Sequence, residues 1–167
     1  MPTSHRRSLV LLRRALPLLL VGACKSGDGL GPEDYAPLQC GQGNGASAAV
    51  AIGPEGGTVT VRGHSLILPA GAVNGRTEFT ITEDRTGYIG VEVLPHGTQF
   101  LKDATLSLSY GRCGGNPAGF RDLRILEVES GTTRAIRVMP SQVDSATRTV
   151  RTSRLNHLSG YLVGGNR

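Results

Sequence analysis

Thr105-Leu106-Ser107-Leu108-Ser109-Tyr110 alternates hydroxyl and apolar side chains over six residues. Successive side chains of a strand point to opposite faces, so this stretch predicts Leu106, Leu108 and Tyr110 facing a core and their neighbours facing water. The same texture recurs on both sides of it. Short runs rich in Val, Ile, Leu and Thr, separated by Gly, Pro, Asn and Asp, predict strands at Ala48 to Ile52, Thr58 to Val61, Ser65 to Leu68, Glu78 to Thr82 and Ile89 to Leu94. Beyond Tyr110 they continue at Leu123 to Glu129, Ala135 to Met139, Thr147 to Thr152 and Leu158 to Val163. No window keeps an apolar period of 3.6 long enough for a helix. With no Trp and only 4% aromatic residues, the core must be aliphatic, which suits pleated, half-buried strands. The expected fold is all-β: an antiparallel β-sandwich of about 8–10 short strands spanning 47–167.

The residues before this domain read differently. Arg6, Arg7, Arg13 and Arg14 precede an apolar run, Ala15 to Val21, that ends in Gly22-Ala23-Cys24. A charged start, a short apolar stretch and small residues before a cut form an export signal, and the run is too short to cross a bilayer. Val21-Gly22-Ala23-Cys24 resembles the lipobox of bacterial lipoproteins, which implies a signal peptide over 1–23 and acylation of Cys24. Lys25 in place of the aspartate that retains such proteins at an inner membrane implies a cell-envelope location, outer membrane or periplasm-facing. Residues 24–46, rich in Gly and polar side chains, are expected to form a flexible, disordered linker holding the domain about 25 Å from the anchor.

Removing the leader takes away four of the 18 basic residues and none of the 13 acidic ones, leaving a net charge of +1. The high isoelectric point therefore belongs mostly to the leader, and nucleic acid is not an expected partner. With Cys24 assigned to lipid, Cys40 and Cys113 remain as a pair in an oxidising compartment, where a disulfide is expected over two free thiols. Two cysteines without a nearby His fall short of a zinc site, so no metal and no cofactor are expected.

Ile52-Gly53-Pro54-Glu55-Gly56-Gly57-Thr58-Val59-Thr60-Val61, then Ser65 to Val73, then Thr77-Glu78-Phe79-Thr80-Ile81-Thr82 follow one another in an order that resembles the ZU-five domain, the β-sandwich named from zonula-occludens and uncoordinated-five proteins. Leu94-Pro95-His96-Gly97-Thr98-Gln99-Phe100 and Lys102 to Leu106 continue the likeness, with Ala104 where that family usually has proline. The resemblance covers Ile52 to Tyr110. It implies a module for protein contacts, with no small-molecule substrate, whose partner is a protein or an envelope polymer. In plain physical terms, Gly56-Gly57 permits a tight turn, Pro69 to Ala72 reverses the chain and Phe100 plugs the core.

One stretch carries possible chemistry. In Asn156-His157-Leu158-Ser159, the triplet His-Leu-Ser is similar to the self-cleavage motif of certain receptor domains, in which Ser159 would attack the Leu158 carbonyl and His157 would take its proton. The plain alternative is that His157 and Ser159 are same-face neighbours on the last strand. Elsewhere His64 and His96 stand apart in sequence, and Glu83-Asp84 is a solvated turn before it is a calcium site. Arg134, Arg137, Arg148, Arg151 and Arg154 read as charges guarding a strand edge, with an acidic glycan or lipid surface as the alternative contact.

Overall fold

Leu106 and Leu108 are fully buried, and the strand that carries them lies in the middle of one of two packed sheets. The computed structural model describes Met1 and residues 30–114, 117 and 119–166. The expected signal peptide, Cys24 and the first part of the linker lie outside the described residues. Twelve strands follow in order: β1 (Ala36–Pro37), β2 (Ser47–Ile52), β3 (Gly57–Val61), β4 (His64–Leu68), β5 (Thr77–Glu83), β6 (Gly90–Leu94), β7 (Gln99–Ser109), β8 (Arg121–Val128), β9 (Ala135–Val138), β10 (Gln142–Asp144), β11 (Thr149–His157) and β12 (Gly160–Asn166). All pair antiparallel. One sheet runs β2-β5-β6-β12-β8-β9, with β1 added against β12; the other runs β10-β11-β7-β4-β3. The protein is an all-β sandwich.

The core follows from the alternation. Val59 and Val61, Leu66 and Leu68, Phe79 and Ile81, Val91 and Val93, Leu106 and Leu108, and Tyr161 and Val163 each skip one residue, and all are buried in a single cluster between the sheets. Each such aliphatic side chain contributes about 1.5–3 kcal/mol of transfer free energy. Phe79, Tyr110 and Tyr161 are its fully buried aromatics; Phe100, expected as the plug, is partly buried and packs on the Phe79 ring at 6.1 Å between centroids. A second, smaller cluster joins Tyr35, Leu126, Val128 and Leu162. Its strand residues sit one position out of phase with Ile125, Tyr161 and Val163, so it lies on the other face of the seven-stranded sheet.

Tyr35 belongs to a segment that the sequence assigns to the linker. Instead of staying clear of the domain, the chain from Pro32 makes a short 3₁₀ turn, adds β1 to β12 through Ala36 opposite Gly165, and buries Leu38. The Leu38 N–H donates to the Val163 carbonyl and the Ile89 N–H to the Leu38 carbonyl. The strap thus takes over the edge of β12 where β6 stops, opposite Leu162. Two residues further on, a disulfide joins Cys40 to Cys113 with Cα atoms 4.9 Å apart. Among the described residues no helix is long and apolar enough to cross a membrane.

Candidate functional site

Pairing places Glu83, Val91, Tyr161 and Glu127 in one row across β5, β6, β12 and β8. All four are buried, so two carboxylates flank an apolar middle on the inner side of the sheet. A buried carboxylate needs partners. Each acid finds an imidazole from the opposite sheet and a guanidinium.

Glu127 meets His157 of β11, with Oε1 2.6 Å from Nε2, and accepts from Arg137 of β9 through Oε2 at 2.5 Å. The other ring nitrogen of His157 lies 2.8 Å from Asn156 Oδ1, and the Tyr161 hydroxyl donates to the His157 carbonyl at 2.7 Å. Burial, with the Glu127 charge beside it, pushes the Tyr161 phenol far above its ordinary range. Ser159 turns elsewhere: its hydroxyl donates to the Val128 carbonyl at 3.1 Å. Leu158 and Ser159 form the short link between β11 of one sheet and β12 of the other. His157 and Ser159 thus stand two positions apart in sequence without sharing a hydrogen bond, and they do not share one strand.

Glu83 binds Arg112, 2.6 Å away, and stands 3.9 Å from Nε2 of His64. Arg112 also donates to the Tyr88 carbonyl. His64 points inward in phase with Leu66 and Leu68, and its Nδ1 accepts from the Ser109 N–H at 3.2 Å, so Nε2 carries the ring proton in the neutral form. Burial pulls its pKa down to about 4, with Arg112 pushing the same way and Glu83 opposing both. The pair Glu83-Asp84 is divided between two tasks: Asp84 accepts from the Thr86 N–H at 2.6 Å while Glu83 points inside. Among the described residues no three His, Cys, Asp or Glu side chains are grouped as metal ligands.

The five arginines singled out in the sequence also separate. Arg134 pairs with Glu129 at 2.7 Å, Arg137 with Glu127, and Arg148 reaches the Gly111 carbonyl at 3.4 Å. Arg151 and Arg154 are exposed on β11 and line a groove of about 540 Å³ together with Arg124, Pro140, Ser141, Gln142 and Ser153. A register shift between Thr152 and Leu155 inserts one extra residue, and Ser153 and Arg154 are consecutively exposed there. Arg124, from β8, was not singled out by its sequence context. Its guanidinium donates to the Ser141 carbonyl at 2.9 Å and pairs with Asp122 at 2.6 Å, while the Tyr35 hydroxyl donates to Asp122 at 2.9 Å. Two hydrogen-bonding neighbours and the Arg124 charge lower the Asp122 pKa against the opposing effect of burial.

No protein-family model matches the chain, and no curated protein matches it.

Proposed function

We propose that the mature chain is a lipid-anchored cell-envelope protein whose sandwich serves as a contact module and not as a catalyst. The anchor reading rests on the leader and on Val21-Gly22-Ala23-Cys24, and the likeness to the ZU-five domain on residues that form β3, β4, β5 and the turn into β7. One observation carries the contact reading: the histidines best placed for chemistry are engaged by Glu127 and Glu83, whereas the arginine groove stands open. Eight Cα–Cα steps separate Cys24 from Pro32, where the fold begins, so an acylated Cys24 would hold Pro32 within about 30 Å. The partner would then be a protein or envelope polymer close to the membrane.

The test is envelope fractionation of the full chain with intact mass read from the membrane fraction. Acylation at Cys24 and release of Cys24→Ala into the soluble fraction support the anchor. An unmodified Cys24 in a soluble native protein overturns it. The second reading, self-cleavage between Leu158 and Ser159, is favoured by one contact: the Gly97 N–H already donates to the Leu158 carbonyl at 3.1 Å, the position from which an oxyanion would be stabilised. The same mass spectrum tests it, because cleavage yields a fragment beginning at Ser159 that Ser159→Ala abolishes.

A further inference from the structure

The groove between β8 and β11 has properties that edge protection alone does not require. A guarded strand edge needs charge spread along it. Here three guanidinium groups from two sheets converge on one concavity, with the Ser153 hydroxyl and the Gln142 amide between them, and among the described residues no Asp or Glu lines it. Arg124 is held in place by Ser141 and Asp122, whose charge offsets its own. Arg151 and Arg154 supply the uncompensated charge, since neither side chain has a hydrogen-bond or ion-pair partner among the described residues. At about 3.3 Å of rise per residue three regular steps would span about 10 Å, and the extra residue between Thr152 and Leu155 shortens this, so the two flexible side chains are within range to close on one anion.

We propose that this groove binds a sugar phosphate, with Arg151 and Arg154 on the phosphate and Gln142 and Ser153 on sugar hydroxyls. Forked guanidinium donors match phosphate oxygens two at a time, which a lysine ammonium does not. A volume of about 540 Å³ exceeds what a bare phosphate fills and falls in the range of small-ligand sites. The lining has few apolar atoms to cover a hydrocarbon, while the neutral donors and acceptors beside the charges suit a polyhydroxylated ring. The groove adds a ligand chemistry to the contact module; it rests on that reading only for the source of the phosphate, which is either a soluble saccharide or the headgroup of a glycolipid.

The experiment is calorimetric titration of the full chain in detergent with glucose 6-phosphate, with glucose and inorganic phosphate as controls. Vesicles with and without monophosphoryl lipid A form a second arm. The expected result is saturable binding of glucose 6-phosphate, tighter than either control, weakened at least tenfold in Arg151→Ala/Arg154→Ala and weakened again by added NaCl. Arg134→Ala, which removes a paired arginine outside the groove, is expected to bind like the parent. Tighter binding to the lipid A vesicles than to the sugar assigns a headgroup; equal or weaker binding assigns a soluble ligand. Absence of glucose 6-phosphate binding, equal affinity for inorganic phosphate, or undiminished binding by a folded double variant overturns the proposal. None of these readouts depends on acylation of Cys24, so failure of the anchor and failure of the groove are seen separately.

Discussion

His64 is 2% exposed and neutral in the folded chain, and its pKa of about 4 lies below the ordinary 6.5 of an unfolded histidine. Between those two values the unfolded chain binds a proton that the folded chain refuses, so stability is complete above pH 6.5 and falls as the pH drops toward 4. For a shift of this size the loss is about 2 kcal/mol between pH 7 and pH 5, and about 3 kcal/mol by pH 4. With a urea slope of about 1–3 kcal/mol per molar, the first figure moves the unfolding midpoint down by about 1 M. His64→Gln keeps an oxygen within reach of the Ser109 N–H and cannot titrate. It is expected to cost about 1 kcal/mol at pH 7 through imperfect geometry and to show a pH slope smaller by the histidine's share. Urea titrations of both proteins at pH 7, 6 and 5 give the difference directly. If Glu83 instead held a charged imidazole, the parent would gain stability relative to His64→Gln as the pH fell. Equal slopes in the two proteins, or that opposite sign, would refute the reasoning.

Other substitutions probe the remaining joints. Glu127→Gln removes the carboxylate that bridges His157 and Arg137; because Arg137 can turn to solvent, the expected loss is about 1–3 kcal/mol by urea unfolding, and no change would mean the bridge is not formed in solution. Leu106→Ala empties the centre of the aliphatic cluster and is expected to lower stability by about 2–5 kcal/mol, against near neutrality for the exposed Ile136→Ala. At Gly90 a methyl group would overlap the Leu162 side chain and stand 2.6 Å from the Tyr161 carbonyl oxygen, so Gly90→Ala should push β6 from β12 and cost about 1–3 kcal/mol, seen as a lowered midpoint.

Alternation carried most of the fold. Each of the ten stretches read as strands overlaps a strand of the structure, because a half-buried strand writes its two faces into every second residue. The misses share a cause. β10 is exposed along its length and has no buried face to mark it. The first half of β7, Gln99 to Asp103, has no fully buried residue and begins six positions before the alternation does. β11 runs five residues past Thr152 because its register shifts break the period of two. Tyr35 and Leu38 are isolated apolar residues among glycines and acids, and periodicity cannot flag single residues. The site was less legible still. Glu127 reads as an ordinary polar residue near a strand end, and the signal that could have found it is its phase with Leu123 and Ile125. Arg124 lies 27 positions from Arg151, and only the packing of the two sheets brings it to the groove.

The strap and the last strand specify one another, and the disulfide tests how. Gly164 and Gly165 lack side chains where β1 runs alongside; a Cβ on Gly164 would stand 3.0 Å from the Ala36 carbonyl oxygen. The loop closed by Cys40 and Cys113 spans 73 residues, so on chain entropy alone its bond contributes about 4 kcal/mol, by restricting the unfolded chain. If that were its whole effect, Cys40→Ser/Cys113→Ser would raise hydrogen exchange at all globally protected amides by one common factor, about a thousandfold. The structure argues for more. Without the sulfur bridge the strap is held chiefly by β1, by the bonds of Leu38 and Cys40, and by the burial of Tyr35 and Leu38, so it can open while the sandwich stays closed. The Ile89 amide, whose acceptor is the Leu38 carbonyl, should then lose more protection than the Leu106 amide in the central strand β7. Equal losses at Ile89 and Leu106 would mean that the strap opens only when everything does, and that the disulfide acts through the unfolded chain alone.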